Sequence, residues 1–202
     1  MERFLFTKLS ILIVIALVLQ MHGYKGCLEK ERTALLEIKE LFLNSSVNID
    51  YDRVNSKLGS WVDDRVSDCC NWNRVECNTT TGRVINLSLF EILDYSSLSL
   101  SQILNFSMFQ PFEELQSLNL FFNYFEGWVD SRGRGLANLR NLKFLDLSEN
   151  GINGTLQELG LANLRNLKFL DLSFNQINGT LQELDNHIFW WFIFNNFLSR
   201  LI

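Results

Sequence analysis

Residues 136–159 read LANLRNLKFLDLSENGINGTLQEL, and residues 161–184 read LANLRNLKFLDLSFNQINGTLQEL. The second copy begins 25 residues after the first and differs at two positions, with Phe174 for Glu149 and Gln176 for Gly151. Tandem near-identity at this spacing indicates one structural unit that is stacked repeatedly. Both copies contain the pattern L-x-x-L-x-L-x-x-N, formed by Leu142, Leu145, Leu147 and Asn150 and by Leu167, Leu170, Leu172 and Asn175.

Diverged copies of the same pattern lie upstream. One is complete and ends at Asn123, and an earlier one contains Val84, Leu87 and Leu89 but lacks the asparagine. A period of 20–29 residues with this pattern is typical of leucine-rich repeats. We therefore predict about four repeats over residues 84–185. The predicted fold class is an α/β solenoid, a leucine-rich-repeat right-handed superhelix with short parallel strands on its concave face.

The alternation along each copy predicts which side chains enter the core. Leu145 and Leu147 are two residues apart, so both point inward from a strand while their neighbours point outward. Asn150 and Asn175 are predicted to satisfy backbone groups at the following turn rather than to bind a ligand. The outward positions are the candidate ligand-binding residues: Lys143, Phe144, Asp146, Ser148 and Glu149, then Lys168, Phe169, Asp171, Ser173 and Phe174.

The N-terminus has the composition of a secretory signal peptide. Arg3 and Lys8 precede an unbroken apolar run from Ile11 to Leu19, and polar or small residues follow it. A membrane span needs about 20 apolar residues, so we expect a cleaved signal over residues 1–23 and no transmembrane span in this chain. These features predict export through the secretory pathway to the cell surface or the extracellular space.

The cysteine content agrees with export. The chain has four cysteines, and an even number in an exported protein indicates disulfides. A bond between the adjacent Cys69 and Cys70 would be strained, which leaves two connectivities open. These are Cys27–Cys69 with Cys70–Cys77, or Cys27–Cys70 with Cys69–Cys77. Zinc sites favour other spacings and a reducing compartment, so no metal and no cofactor are predicted.

An amphipathic helix is predicted between the first two cysteines, over residues 28–43. Leu35, Ile38 and Phe42 share one face, and acidic residues lead the segment. This helix is expected to cover a core, and a polar stretch follows it over residues 44–60.

The N-terminal segment resembles the cap of plant leucine-rich-repeat proteins. The resemblance depends on CLEKERTALLEIKELF at 27–42, SW at 60–61, DCCNWNRVEC at 68–77 and GRVINLSL at 82–89, which places the cap at residues 24–83. QPFEELQSLNLFFN at 110–123 resembles plant receptor-like proteins, which are cell-surface receptors with a repeat ectodomain and no kinase. The resemblance implies the disulfides Cys27–Cys69 and Cys70–Cys77, and a cap packed on the first repeat through Trp61 and Trp72.

Two features depart from that family. The Ile-Pro pair that usually follows the repeat glycine is replaced by Leu156-Gln157 and Leu181-Gln182. The tail over residues 186–202 is hydrophobic and divergent, and we expect a truncated product. In it, Leu167, Leu170, Leu172 and Ile177 face a missing repeat, and only the tail can cover them. A cap-like hydrophobic plug and an interfacial anchor are the alternatives for the tail.

The resemblance implies an extracellular recognition module for a protein or peptide ligand, with a co-receptor kinase as a further partner, in defence or development. The alternative is a small secreted inhibitor of cell-wall hydrolases, similar to the polygalacturonase inhibitors. An enzyme is not expected, because there are two histidines and no phosphate-binding or nucleophile–base motif. A net charge of −5 argues against nucleic-acid binding.

Six N-x-S/T sequons fit an exported glycoprotein. They predict glycosylation at Asn44, Asn78, Asn86, Asn105, Asn153 and Asn178.

Overall fold

The computed structural model describes residues 26–45, 51–64, 66–93, 102–130 and 136–178. The predicted signal peptide over 1–23 and the divergent tail over 186–202 both lie outside these described residues. Within the described ranges, no helix is long and apolar enough to cross a membrane.

Two helices and a short strand form the N-terminal cap. Helix α1 spans Glu29–Ser45, within two residues of the prediction, and its apolar face is buried at Leu35, Ile38 and Phe42. Helix α2 spans Tyr51–Leu58, inside the polar stretch that follows α1 in sequence. Val54 and Leu58, four residues apart and both 0% exposed, attach this short helix to the core. Strand β1 follows at Val75–Cys77.

A five-stranded sheet forms the concave face of the solenoid. Its strands are β1, β2 (Val84–Ser88), β4 (Ser117–Asn119), β6 (Phe144–Asp146) and β8 (Phe169–Asp171), in that spatial order. The four repeat strands pair in parallel, as predicted, while β1 from the cap runs antiparallel to β2. The cap therefore covers one edge of the parallel sheet with a strand of opposite direction, which protects that edge.

A second layer of short strands lies past the turn of each repeat. Strand β3 (Gln102–Asn105) pairs in parallel with β5 (Phe125–Val129), and β7 (Asn153–Thr155) pairs in parallel with β9 (Gln176–Asn178). The pattern L-x-x-L-x-L-x-x-N ends before these strands begin and therefore did not predict this layer. Short 3₁₀ turns complete the elements at Cys69–Asn71, Phe106–Phe109 and Leu161–Asn163.

The repeat leucines fill the core between the two layers. Leu145 and Leu147 are both 0% exposed, as the alternation predicts. Leu170 and Ile177 of the last described repeat are also buried, at 0% and 7% exposed.

A ladder of buried and partly buried asparagines connects successive repeats. Asn150 Nδ2 donates to the carbonyl oxygens of Leu120 in the preceding repeat, at 3.0 Å, and of Leu147 in its own repeat, at 2.9 Å. Asn123 makes the equivalent pair of bonds one repeat earlier, and Asn175 makes them one repeat later. The predicted structural role of these asparagines is confirmed.

The residue before each ladder position adopts a left-handed backbone conformation. The φ angles are 52° at Glu91, 54° at Phe122, 53° at Glu149 and 55° at Phe174. The backbone N–H of Glu149 donates to the Ser173 carbonyl at 3.0 Å, and Glu91 and Phe122 do the same toward the repeat that follows them. At these three residues, the backbone hydrogen bond to the following repeat offsets part of the strain of the left-handed conformation.

We expect Glu149→Asn to stabilise the protein by up to about 1 kcal/mol, because asparagine tolerates the left-handed region better than glutamate. Urea unfolding measures the change. The matched control is Lys168→Asn, at the exposed residue just before β8, which has no positive φ. The same gain at Lys168 would contradict an explanation based on backbone strain.

Candidate functional site

The strand register arranges the outward side chains of the concave face in rows across the repeats. One row contains Phe144 beside Phe169, and a second contains Asp146 beside Asp171. The next strand toward the cap contributes Ser117 to the first row and Asn119 to the second. In these two rows, identical side chains stand next to each other between β6 and β8, where the two copies are nearly identical in sequence.

The two phenylalanines form a stacked pair. Their ring centroids lie 4.4 Å apart, and their planes differ by 4°. Both rings are partly exposed on the concave face. This pair is the most apolar feature among the predicted ligand-binding residues, and it offers a rigid surface for an apolar or planar group.

The aspartates of the second row are held by their own turns. Asp146 Oδ1 accepts hydrogen bonds from the backbone N–H of Ser148, at 3.0 Å, and from its hydroxyl, at 2.5 Å. Asp171 and Ser173 repeat this arrangement. Ser148 and Ser173 are consequently buried, 4% and 7% exposed, although the alternation predicted them to point outward. The correction has a local cause, because each hydroxyl turns back to the aspartate two residues before it.

Burial raises the pKa of Asp146 above its ordinary 3.8, and the neighbouring Asp171 adds to this effect, while the hydrogen bonds from Ser148 oppose it. A raised pKa in the folded state stabilises the protein fully below the ordinary pKa. That contribution is lost as the pH rises through the raised value. Ionised Asp146 is thus slightly unfavourable on this face at neutral pH, which a ligand cation would relieve.

We expect Asn119→Asp to destabilise the protein at pH 7 by about 0.2–1 kcal/mol, because it places a third carboxylate opposite Asp146. Asn119 already accepts the N–H of Phe121 at 2.9 Å, a bond that aspartate can keep. The difference in the free energy of unfolding between variant and wild type should shrink at low pH, because carboxyl groups that have bound a proton no longer repel each other.

For Asn119→Asp, the quantity to measure is the difference in the free energy of unfolding between variant and wild type. The stability of either protein alone also depends on other carboxylates, whose contributions change with pH in the opposite direction. Hydrogen bonds from Ser67 and Val66 lower the pKa of the exposed Asp64 to about 2, so its contribution is lost as the pH falls. A difference that stays constant from pH 7 to low pH would show that repulsion in the row is not its cause.

Charged and aromatic residues border the two rows. Lys143 and Lys168 are exposed at the start of the strands, and Lys143 Nζ donates to Gln116 Oε1 at 2.7 Å. Glu149 is partly exposed beyond the strand ends, and Phe174 is 47% exposed in the equivalent place. The structure thus places eight of the ten predicted ligand-binding residues at an accessible surface; Ser148 and Ser173 are not among them.

An aromatic cluster that the sequence reasoning missed lies next to this border. The rings of Phe121 and Phe122 are 5.6 Å apart, and those of Phe122 and Tyr124 are 4.8 Å apart, edge to face. Phe121 and Phe122 occupy the repeat positions equivalent to Ser148 and Glu149. The sequence contained a signal for this cluster. Aligning residues 115–123 with the two near-identical copies places Phe121 and Phe122 at these positions.

The cap is stabilised by two disulfides and a tryptophan pair. Cys27 is bonded to Cys69 and Cys70 to Cys77, which is the pairing that the family resemblance implied. The rings of Trp61 and Trp72 stack at 5.9 Å, and the guanidinium of Arg32 lies over the Trp72 ring. Both indoles are buried, at 1% and 3% exposed, so they form the centre of the cap.

A polar cleft of about 430 Å³ lies between the segments that precede β6 and β8. Asparagines and arginines from the repeated A-N-L-R-N segments surround it, and no nucleophile or base is among them. Within the described residues, no group of three or more histidine, cysteine or carboxylate side chains could hold a metal ion. The lining residues are Ala137, Asn138, Arg140, Asn163, Arg165 and Asn166.

Comparison with known protein families agrees with this architecture. A family model described as the leucine-rich-repeat N-terminal domain matches residues 28–78. Two models described as leucine-rich repeats match residues 141–164 and 163–180. The matched ranges coincide with the disulfide-bonded cap and with the two near-identical copies.

Curated relatives come from Arabidopsis thaliana. Receptor-like protein 14 is 41% identical over 161 residues, which are 77% of this chain and 16% of that protein. Receptor like protein 21 is 43% identical over 158 residues, which are 76% of this chain and 15% of that protein. The chain therefore spans about a sixth of the length of these relatives.

Solved structures with a similar fold are plant ectodomains. The ectodomain of the membrane receptor kinase GASSHO1/SCHENGEN3 from Arabidopsis thaliana, solved in complex with CASPARIAN STRIP INTEGRITY FACTOR 2, matches with a TM-score of 0.57 and 27% identity. That match covers 80% of this chain and 18% of the other. The Arabidopsis BIR2 ectodomain matches with a TM-score of 0.53 and 26% identity, over 75% and 70% of the two chains. Cap, repeats and relatives together show that this chain belongs to the leucine-rich-repeat proteins and is similar, over most of its length, to part of the plant receptor-like proteins.

Proposed function

We propose that this chain is an extracellular recognition module of a plant receptor-like protein. The observation that carries the proposal is the 41% identity to a receptor-like protein over 77% of the chain. Two disulfides in the cap fit an oxidising, extracellular location. In this role the protein is not an enzyme, and its activity is the binding of a partner that signals elsewhere.

The proposed ligand is a protein or peptide bound on the concave face, in defence or development signalling. The solved complex of the GASSHO1/SCHENGEN3 ectodomain with CASPARIAN STRIP INTEGRITY FACTOR 2 gives a precedent for ligand binding by this fold. On this chain the proposed contacts are the stacked Phe144 and Phe169 with the charged residues that border them. A co-receptor kinase is the proposed second partner, as the resemblance to plant receptor-like proteins implies.

A photo-crosslinking experiment tests the concave face directly. Phe169→p-benzoylphenylalanine places the reactive group beside the stacked pair, and Val129→p-benzoylphenylalanine places it on β5, where the native side chain is 49% exposed. Each variant is displayed on plant cells and irradiated, and its adducts are identified by mass spectrometry. We expect adducts with a secreted peptide or a receptor-kinase ectodomain at position 169 and not at position 129.

Two results would overturn the proposal. Adducts with a cell-wall hydrolase at position 169 would support the alternative function, a secreted inhibitor similar to polygalacturonase inhibitors. Equal adduct patterns at positions 169 and 129 would show that the concave face has no preferred partner.

A further inference from the structure

Among the six sequons, one lies on the concave face. In β2, Leu87 is buried while Asn86 and Ser88 on either side of it point to the other face. Asn86 is in register with Ser117, which is in register with Phe144. Asn86 thus begins the row that contains the stacked phenylalanines. The remaining sequon asparagines lie on α1, on the turn after β1 and on the second layer of strands, at Asn44, Asn78, Asn105, Asn153 and Asn178.

The contacts of the Asn86 amide direct an attached sugar along this row. Its Nδ2 donates to Glu76 Oε2 at 3.2 Å, and Glu76 is paired with Asn86 on β1. During N-glycosylation, Nδ2 bonds to the anomeric carbon of the oligosaccharide and loses one proton, while the pyrophosphate carrier of the oligosaccharide leaves. The remaining N–H can keep the bond to Glu76. Because β1 and β4 flank β2 on opposite sides, the sugar then extends away from Glu76 and over Ser117.

The row offers a shaped space for that sugar. Adjacent strands are about 4.8 Å apart, so Phe144 lies about 10 Å from Asn86 along the row, a distance that a core of two N-acetylglucosamine residues can bridge. Ser117 between them is small and partly exposed. Phe169 stacks on one face of the Phe144 ring, which leaves the other face toward Ser117. The face of an aromatic ring carries partial negative charge and attracts the polarised C–H groups of a sugar.

We propose that the N-glycan of Asn86 packs on the chain's own concave face, over Ser117 and against the Phe144 ring. The inference rests on the proposed extracellular location, since the modification requires the secretory pathway. Its consequence is regulatory: a glycosylated chain presents a smaller ligand surface than an unmodified chain does, limited to Phe169 and to the parts of β6 and β8 that the glycan leaves uncovered.

The test compares secreted proteins that differ in one sequon. Asn86→Gln removes the acceptor, and Ser88→Ala removes the same sequon while leaving Asn86 in place. Asn153→Gln removes a sequon on the second layer and is the matched control. Glycopeptide mass spectrometry measures occupancy, and hydroxyl-radical footprinting measures the labelling rates of Phe144 and Phe169.

We expect occupancy at Asn86 in the wild-type protein. We expect faster labelling of Phe144 in both Asn86→Gln and Ser88→Ala, with no change in Asn153→Gln. In wild type, the N-acetyl methyl signals of this glycan should shift upfield through the ring current of Phe144.

Each contrary result overturns a defined statement. An occupied Asn86 with unchanged Phe144 labelling in both variants would show that the glycan does not pack on the row. An empty Asn86 beside occupied sequons elsewhere would overturn the inference and leave the proposed function intact. Empty sequons at all six positions would overturn the inference together with the extracellular location on which it depends.

Discussion

Arg83→Met is expected to destabilise the protein by about 3–5 kcal/mol, because it leaves the buried carboxylate of Glu31 without its counter-ion. Glu31 in α1 is 0% exposed, and its Oε1 lies 2.8 Å from Arg83 Nε, at the boundary between the cap and the first repeat. Its Oε2 accepts the backbone N–H of Val84 at 3.2 Å. This ion pair joins the cap to the solenoid, so urea unfolding followed by the fluorescence of the buried cap tryptophans measures the loss.

Two further variants separate the buried pair from ordinary surface charge. Lys30→Ala removes an ion pair with Glu113 whose side chains are 46% and 63% exposed, and it should cost at most about 1 kcal/mol. Glu31→Gln combined with Arg83→Met removes both charges and keeps an acceptor for Val84. This double variant should recover much of the stability that Arg83→Met loses. If Arg83→Met cost no more than Lys30→Ala, the junction would not depend on the buried charge.

Asn150→Ala is expected to cost about 3 kcal/mol or more, because it leaves several buried backbone groups without partners. The side chain accepts the backbone N–H groups of Asn123, at 3.2 Å, and Phe125, at 3.1 Å. Its Nδ2 also donates to three carbonyl oxygens, two in its own repeat and one in the repeat before. Since those groups belong to adjacent repeats, we expect the loss to lower the cooperativity of urea unfolding as well as its midpoint.

Asn166→Ala is the matched control for Asn150→Ala. Asn166 is exposed, and its Nδ2 makes one bond, to the Arg140 carbonyl at 2.8 Å. Its replacement should change the free energy of unfolding by no more than about 0.5 kcal/mol. Similar losses for the two variants would contradict the structural role of the asparagine ladder.

The parts of the fold that could be predicted from sequence are those that depend on the residue pattern of a single repeat. Leu145 and Leu147 alternate with polar neighbours. When strands pair side by side, this alternation places both leucines on the same, buried face of the sheet. The role of Asn150 could be predicted for the same reason, since a buried turn must find partners for its backbone groups. The cysteine pairing needed more than the residues, because spacing left two connectivities open and only the family resemblance chose between them.

The candidate site was predicted in position but not in detail. Phe144 and Phe169 could be placed side by side because both copies share one register. Ser148 and Ser173 could not be identified as buried, because alternation gives the direction of a strand residue and fails where the chain leaves the strand. The hydroxyl of each serine follows a local hydrogen bond to aspartate, which overrides the period of two.

The sequence by itself determined the repeat, the inward leucines, the asparagine ladder and the face on which a ligand is proposed to bind. These follow from short-range patterns that recur every 25 residues in the two near-identical copies. Only the tertiary structure decided that Glu31 in the cap meets Arg83 beside the first repeat, that α2 forms, and that Asn86 shares a row with Phe144. Each of these joins residues from elements that are distant in sequence, and their energy comes from burial and pairing in the assembled fold, which no local pattern encodes.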